Sequence, residues 1–163
     1  MPSEQEMRLH RCCFTGHRPE KLSLSEAEVK TLLENEIRKA IDDGLNVFIT
    51  GMAPGVDIWA AEIVLRLRDK EKLPLKLIAA NPHPKFIDRW PEWKKRYTAV
   101  IEAADLTRDI CDRYKRGVYQ IRNEWMVDHS ARVIAIWNGK PSGTKNTVEY
   151  ANRKNVPVVN VYR

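Results

Sequence analysis

The stretch Leu45–Glu62 limits the possible folds most, because it reads in succession as a strand, a glycine loop and a helix. The apolar run Val47–Ile49 predicts a buried strand, and Gly51 and Gly55 follow it in a loop of small residues. A helix is predicted to begin near Asp57. The free N–H groups of a helix's first turn attract anions, and glycine lets the backbone approach a ligand closely. The stretch therefore predicts a phosphate-binding corner; the alternative is that its glycines only form the turn.

Strand and helix patterns alternate along the whole chain. Strands are predicted at Leu9–Thr15, Val47–Ile49, Leu75–Ala80, Ala104–Cys111, Arg132–Trp137 and Val156–Tyr162. Helices are predicted from Ser23 or Ser25 to Gly44, from Asp57 to Lys70, after Trp93 as far as Ala103, and over Lys115–Asp128 and Thr147–Lys154. This alternation predicts one parallel sheet with helices on both faces. The length fits a single domain over residues 1–163, of which the polar residues 1–7 are expected to be frayed.

The chain is basic, with 28 Lys and Arg against 22 Asp and Glu and a formal net charge of +6. A basic surface suits anionic partners, from nucleotides to nucleic acids. The charges are scattered, which favours an anion pocket over a nucleic-acid groove, although the groove stays an alternative. The longest apolar run, Val133–Trp137, is too short for a membrane span, and the charged N-terminal residues contain no signal-peptide segment. We therefore expect a cytoplasmic protein without a membrane partner.

The three cysteines, Cys12, Cys13 and Cys111, lack the paired spacing of metal ligands, so no metal site and no cofactor are predicted. Cys12 and Cys13 are neighbours in a predicted strand and should point to opposite faces of the sheet. All three are expected to be small buried side chains in a reducing compartment.

Three loops fall at the carboxyl ends of predicted strands, namely Gly16–Arg18, Gly51–Gly55 and Asn138–Thr144. Parallel sheets bind ligands beyond these strand ends, at the point where the order of the strands reverses. The sequence therefore predicts that the three loops converge on one crevice that binds an anion.

Four segments, Thr15–Pro19, Thr50–Glu62, Tyr119–Ser130 and Ser142–Ala151, occur in order over nearly the whole chain. Together they resemble the YpsA-like branch of the SLOG superfamily, which includes the DNA-processing protein DprA and the cytokinin-activating LOG enzymes. The resemblance implies an α/β fold, a Rossmann-like three-layer sandwich with a mostly parallel central sheet and helices on both faces. It also implies a small-molecule ligand, a nucleotide or an ADP-ribose-like derivative, in a signalling or stress response.

One segment departs from the LOG enzymes, which carry Pro-Gly-Gly-x-Gly-Thr-x-x-Glu where Pro141–Glu149 reads PSGTKNTVE. Ser142, Lys145 and Asn146 occupy positions where the LOG motif has glycine or threonine. Glu149 keeps the register of the LOG glutamate and is the candidate general acid or base. The alternatives to a binding protein are therefore a LOG-like nucleoside-monophosphate phosphoribohydrolase and a DprA-like binder of single-stranded DNA. Whether the chain is an enzyme stays open.

The candidate ligand-binding residues come from the matching segments. They are Gly16, His17, Arg18, Gly51, Met52, Ala53, Gly55, Asp57, Arg122, Asn123, Ser142, Gly143 and Thr144. Arg18 is expected to pair with a phosphate, and Ser142 and Thr144 to donate hydroxyl groups, with Thr144 also capping the last helix. Asp57 either caps its helix or accepts hydrogen bonds from a ribose.

Other residues keep two interpretations. Arg122 either contacts the ligand or forms a salt bridge between helices, and His17 is either a ligand donor or a packed loop residue. Trp90 or Trp93 is the candidate for stacking on a base. The resemblance also implies association through helical faces, so a homodimer is an expectation.

Overall fold

The structure, a computed structural model, describes residues 1–162. Its strands are β1 (Arg11–Gly16), β2 (Val47–Thr50), β3 (Lys76–Asn81), β4 (Leu106–Asp109), β5 (Arg132–Ile136) and β6 (Val158–Asn160). They form one sheet in the order β4-β3-β2-β1-β5-β6, and every adjacent pair is parallel. The sheet confirms the α/β fold that the alternating pattern predicts. β4 is the short strand predicted within Ala104–Cys111, whereas β6 is shorter than the predicted Val156–Tyr162.

The helices are α1 (Glu4–Arg8), α2 (Glu26–Asp42), α3 (Val56–Asp69), α4 (Lys94–Ala103), α5 (Val118–Asp128) and α6 (Gly143–Arg153). Short 3₁₀ turns cover Pro19–Lys21, Phe86–Arg89 and Pro91–Trp93. Of the two predicted caps of α2, Ser25 is the one used: its hydroxyl accepts the Glu28 N–H, and the Glu28 carboxylate accepts the Ser25 N–H. Within residues 1–162, no helix is long and apolar enough to cross a bilayer.

The sheet is buried between two helical layers, with α2, α3 and α4 on one face and α5 and α6 on the other. The chain moves outward from β1 to β4 and then returns to add β5 and β6 on the other side, so crossovers of the usual right hand place α2–α4 and α5–α6 on opposite faces. Cys12 belongs to the apolar core under α2 and α3, whereas Cys13 belongs to the core under α5 and α6. The prediction that these neighbours face opposite ways is confirmed, and both are fully buried.

The N-terminal residues, which are expected to be frayed, include the short helix α1 from Glu4. The Ser3 hydroxyl caps the helix by accepting the Glu6 N–H at 3.2 Å. The Arg11 guanidinium pairs with the Glu4 carboxylate, and Arg8 donates to the carbonyl of Ser130 at 2.8 Å. These contacts order a segment that is too short and too polar to be predicted as a helix by periodicity.

The order of the strands reverses between β1 and β5, where Gly16 lies opposite Ile136. After β1 the chain continues to β2, which lies on one side of β1. On the other side of β1 lies β5, which is followed by its own crossover to β6. The two loops therefore separate above this pair of strands and leave a crevice between them.

Candidate functional site

A cavity of about 210 Å³ opens beyond the carboxyl ends of β1 and β5, and we call it the central cavity. Ten of the candidate residues line it: Gly16, His17, Arg18, Ala53, Asp57, Arg122, Asn123, Ser142, Gly143 and Thr144. They come from the three predicted loops, from the first turn of α3 and from α5. The fold thus brings distant parts of the sequence together where an open parallel sheet is expected to bind a ligand.

The beginning of α6 forms one wall of the central cavity. Ser142 is its N-cap, with a hydroxyl that accepts the Lys145 N–H at 3.2 Å. This corrects two predictions, because α6 begins at Gly143 rather than at Thr147, and Ser142 rather than Thr144 is the cap. The extended backbone of Ser142 turns its side chain back over the first turn. Within the described residues, the N–H groups of Gly143 and Thr144 have no partner, as expected for the first turn of a helix.

Thr144 lines the same wall and is only 6% exposed. Its hydroxyl makes no hydrogen bond to any residue in the described range. Thr147, one turn later, differs because its hydroxyl donates to the carbonyl of Gly143 at 3.0 Å. Buried polar groups are normally hydrogen-bonded, so the Thr144 hydroxyl is available to a ligand or to water.

Arg122 projects from α5 and is 4% exposed. Its Nη1 donates to the carbonyl of Gly51 and, at 3.4 Å, to that of Ala80, while Nε donates to Asn123 Oδ1 at 2.8 Å. Among residues 1–162, Nη2 has no hydrogen-bond partner. Burial lowers the pKa of Arg122, and the nearby Asp57 opposes this shift. The inter-helix salt bridge considered for Arg122 is not formed within the described residues, and the guanidinium joins two strand ends to α5.

Asp57, in the first turn of α3, is 7% exposed and also lines the cavity. Its Oδ2 accepts the Ala53 N–H at 3.2 Å, so the carboxylate holds the preceding loop. The helix-capping interpretation is wrong, because the N-cap of α3 is Gly55 without a side-chain cap. Burial raises the pKa of Asp57 to about 6, against the opposing effects of the Arg122 charge and the Ala53 N–H. The side chain titrates within the range in which a carboxyl can exchange protons near neutral pH.

His17 connects the ends of the two strands that flank the cavity. Its backbone N–H donates to the carbonyl of Ile136 at 3.2 Å, and its Nε2 accepts the N–H of Asn138 at 3.2 Å. Because Nε2 is the acceptor, the proton of the neutral ring lies on Nδ1. Burial lowers the pKa of His17, and the charge of Lys21 adds to this effect. The His17 residue thus ties the end of β1 to the loop after β5, and its ring also lines the cavity.

Cations and aromatic rings form the rim of the central cavity. Arg18 and Lys21 line it, and neither forms an ion pair within the described part of the chain. The Arg18 guanidinium lies 4.8 Å from the centre of the Trp90 ring, and Arg89 lies 5.2 Å from it. Tyr119 lines the cavity as well and accepts a hydrogen bond from Arg89 at 3.4 Å. The rim thus combines two unpaired positive charges with exposed edges of aromatic rings.

Residues 12–161 match the sequence profile of the YpsA family, described as the YspA SLOG family. The chain belongs to this family. A UPF0398 protein of Lactobacillus acidophilus is 30% identical over 165 residues, which cover 92% of this chain and 87% of that protein. The assignment confirms the resemblance carried by the four ordered segments.

Two solved structures share the Rossmann-like SLOG fold of this YpsA-family chain. One is DNA processing protein A from Helicobacter pylori, a protein that binds single-stranded DNA. It superposes with a TM-score of 0.64 at 23% identity. The match covers 95% of this chain and 66% of that one. The molybdenum cofactor binding protein from Rippkaea orientalis gives a TM-score of 0.57 at 22% identity, covering 93% and 76%. At these identities the likeness shows the fold alone.

Three family-motif residues predicted to contact the ligand do not line the cavity. Gly51 lies beneath it, and a Cβ there would meet Arg122 Cζ at 2.7 Å and Asp57 Oδ2 at 2.8 Å. Gly55 has a φ of +96°, and a Cβ there would meet Pro19 Cδ at 2.7 Å. Met52 is fully buried in the apolar core. The sequence indicates glycines that permit close approach, and the approaching atoms belong to the protein itself.

Gly16 lines the cavity for a related reason. A Cβ at this position would lie 2.6 Å from the side chain of Val56, the first residue of α3. Glycine therefore lets the end of β1 pack directly against the beginning of that helix, which brings the Gly16–Arg18 loop close to the Gly51–Gly55 loop.

Glu149, the candidate acid or base in the LOG register, does not line the central cavity. Its side chain is 49% exposed, and its only ionic neighbour in residues 1–162 is Lys145 at 4.0 Å, one turn earlier on α6. A helix presents residues of one face at every third or fourth position. Since Thr144 and Thr147 are buried, Glu149 falls on the solvent side.

The cavity also has lining residues that were not predicted as ligand contacts, namely Phe14, Thr15, Lys21, Phe86 and Tyr119, whereas Trp90 was predicted as a stacking residue. The sequence contains a signal for Lys21 that was missed. Pro19 begins a 3₁₀ turn over Pro19–Lys21, which places Lys21 at the cavity. Tyr119 opens one of the family segments. Within residues 1–162, no group of three His, Cys, Asp or Glu side chains is arranged to hold a metal ion.

Proposed function

We propose that the central cavity binds a nucleotide or a nucleotide-derived ligand such as an ADP-ribose-like metabolite. The observation that carries this proposal is that Thr144 lines the cavity with an unpartnered hydroxyl, beside the free N–H groups of Gly143 and Thr144. Three hydrogen-bond donors that converge at a helix N-terminus suit a phosphate group. The ligand's phosphate is therefore assigned to the beginning of α6.

The rim charges support the same assignment. Arg18 and Lys21 line the cavity without an acidic partner in residues 1–162, whereas arginines elsewhere, such as Arg96 and Arg68, are held in ion pairs. Unpaired cations at the mouth of a concave site raise the local concentration of anions. Both side chains can move onto a phosphate after it enters.

The aromatic residues give the second part of the ligand a place to bind. Trp90 and Tyr119 line the cavity, and a nucleobase can stack on either ring. Arg18 and Arg89, which now lie against Trp90, are long side chains that can turn toward the phosphate when a base replaces them.

A thermal-shift screen followed by calorimetry tests the proposal. The panel contains nucleoside monophosphates, ADP-ribose, cyclic dinucleotides and inorganic phosphate. A ligand present at a hundred times its Kd stabilises the folded state by about 2.7 kcal/mol, which corresponds to a shift of several degrees in Tm. We expect at least one nucleotide to give such a shift. No shift across the panel at millimolar concentration would contradict the proposal.

Binding of single-stranded DNA is the second candidate function, favoured by the net charge of +6 and by the unpaired Arg18 and Lys21. Arginine against an aromatic ring, as at Arg18 and Trp90, is also found where single strands bind. Fluorescence anisotropy with a labelled oligothymidylate separates the candidates. DNA binding should weaken steeply as salt rises from 50 to 200 mM, by about 300-fold if six phosphates of a single strand are contacted. No binding at the lower salt concentration excludes it.

A LOG-like phosphoribohydrolase is less well supported, because Glu149 lies on the solvent side of α6. Asp57 is the buried carboxylate in the cavity, so a hydrolase would need that residue as its acid or base. Chromatography of nucleoside monophosphates incubated with the protein measures release of the free base. We expect none above the rate of the protein-free control.

A further inference from the structure

We infer that Arg122 and Asp57 at the floor of the central cavity recognise a sugar hydroxyl, so that the ligand is a ribonucleotide and not a 2′-deoxyribonucleotide. This inference rests on the proposed function and specifies its ligand class. It concerns the part of the cavity lined by residues of α3 and α5, whereas the proposed phosphate site lies at the beginning of α6.

Asp57 supplies a hydrogen-bond acceptor. Its side chain is more than nine-tenths buried and lines the cavity. Oδ2 is used by the Ala53 N–H at 3.2 Å, whereas Oδ1 has no partner among residues 1–162. Because Asp57 lines the cavity, a hydrogen-bond donor on the ligand can reach this free oxygen.

Arg122 supplies a donor beside that acceptor. Nη1 and Nε are used by the carbonyl of Gly51 and the amide oxygen of Asn123, which fixes the plane of the guanidinium. Nη2 has no partner in the described range, and the residue lines the cavity. The Arg122 Cζ and the Asp57 Oδ2 both lie within 2.8 Å of the same point, the Cβ position of Gly51. The two side chains thus lie against the same glycine but form no direct ion pair within residues 1–162, so a group of the ligand can lie between Nη2 and Oδ1.

A neighbouring donor and acceptor select for the chemistry of a hydroxyl. A hydroxyl accepts a hydrogen bond from Arg122 and donates one to Asp57 at the same time. A phosphate or carboxylate only accepts and is repelled by the ionised Asp57, while an ammonium group only donates and is repelled by Arg122. A ribose places two adjacent hydroxyls on one face of its ring, so the pair matches a sugar whose phosphate lies at α6.

Calorimetric titration of matched nucleotides tests the inference with the unmodified protein. AMP, GMP and CMP are each compared with their 2′-deoxy and 3′-deoxy forms at pH 7.5, so that the base stays the same within each set. A missing hydroxyl leaves Nη2 and Oδ1 unpaired when the ligand fills the cavity. We expect at least one of the two deoxy forms to bind about 10- to 100-fold more weakly than the ribonucleotide.

The possible results separate this inference from the function on which it rests. If a ribonucleotide binds and both of its deoxy forms bind within twofold of it, the hydroxyl inference is wrong while the nucleotide site stands. If no nucleotide binds, the proposed function is wrong, and so is the hydroxyl inference that rests on it. The Asp57→Asn variant, which keeps the size of the side chain, should reduce the ratio between ribo and deoxy affinities. An unchanged ratio in a folded variant that binds the ribonucleotide would contradict the assignment of the acceptor to Asp57.

Discussion

Arg122 and Asp57 lie against the same glycine. A Cβ on Gly51 would be 2.7 Å from the Cζ of Arg122 and 2.8 Å from Oδ2 of Asp57. These two buried, oppositely charged side chains come from α5 and α3, which pack on opposite faces of the sheet. The end of β2 is therefore the point at which the two helical layers meet beneath the cavity.

The Gly51→Ala substitution should disturb both side chains at once. The added methyl forces the guanidinium away from the carbonyl of Gly51, at a cost of about 1–3 kcal/mol in the free energy of unfolding. Urea denaturation measures this loss. The Gly143→Ala control, where a Cβ meets nothing within 4 Å, should change stability by no more than about 1 kcal/mol. Equal stability of the Gly51→Ala variant and the wild type would contradict the close contact.

A second glycine contact can be tested by a double-mutant cycle. Gly16→Ala should destabilise the protein by about 1–3 kcal/mol, because its methyl would overlap the side chain of Val56. Combining it with Val56→Ala makes room for the methyl. The two effects should therefore be non-additive, with a favourable coupling of about 0.5–3 kcal/mol between these neighbours. Simple additivity in urea denaturation would show that β1 and α3 are not packed as described.

The order of the elements could be predicted from the sequence, since each apolar run and each helical period agrees with the same parallel fold. The wall of the cavity at the beginning of α6 could be predicted in part. Ser142, Gly143 and Thr144 line the cavity, but the N-cap was misassigned, because either Ser142 or Thr144 can accept the first-turn N–H and only the backbone geometry decides.

The remaining site could not be predicted because its determinants are contacts between distant segments. Gly51 and Gly55 read as ligand-approach glycines, yet one accommodates Arg122 and the other Pro19. Nothing in the local sequence distinguishes these partners from a ligand. Likewise, the position of Glu149 in a family motif does not reveal which side of α6 faces the cavity, whereas the burial of Thr147 does.

The raised pKa of Asp57 predicts a pH dependence of stability. In the unfolded chain the carboxyl has a pKa of about 3.9, so the unfolded state loses this proton first as the pH rises. The free energy of unfolding contributed by Asp57 is therefore largest below pH 4 and falls as the pH rises toward 6, where the folded carboxyl ionises. Asp57→Asn lacks this contribution.

Urea denaturation of both proteins from pH 4 to pH 7.5 measures the effect. Relative to Asp57→Asn, the wild type should lose about 2.4 kcal/mol over this range. Carboxylates whose pKa is lowered, such as Glu26 beside Arg96, act in the opposite direction but are shared by both proteins. A constant stability difference across the pH range would refute the raised pKa.

The rim cations should affect ligand affinity without affecting stability. Neither Arg18 nor Lys21 has an ionic partner in residues 1–162, so Arg18→Ala and Lys21→Ala should change the free energy of unfolding by less than about 0.5 kcal/mol. Each substitution should lower the affinity for a nucleotide by about threefold to tenfold, and by less at high salt. Lys39→Ala, near the end of α2, is the matched control with unchanged affinity. Calorimetry at two salt concentrations measures these affinities. Equal losses of nucleotide affinity in all three variants would contradict a role of the rim cations in binding.

The proposed phosphate site at the beginning of α6 is tested most directly by comparing two variants, Thr144→Val and Thr147→Val. Both threonines are buried, and they lie one turn apart on α6. Valine preserves the shape of each side chain and removes its hydroxyl. The Thr147 hydroxyl bonds to Gly143, so Thr147→Val should lose about 1 kcal/mol of stability and keep its nucleotide affinity. Thr144→Val should keep its stability, because the hydroxyl has no partner in the described residues, and should bind the nucleotide about tenfold more weakly. Unchanged nucleotide affinity in the Thr144→Val variant, measured by calorimetry, would contradict the phosphate site at α6.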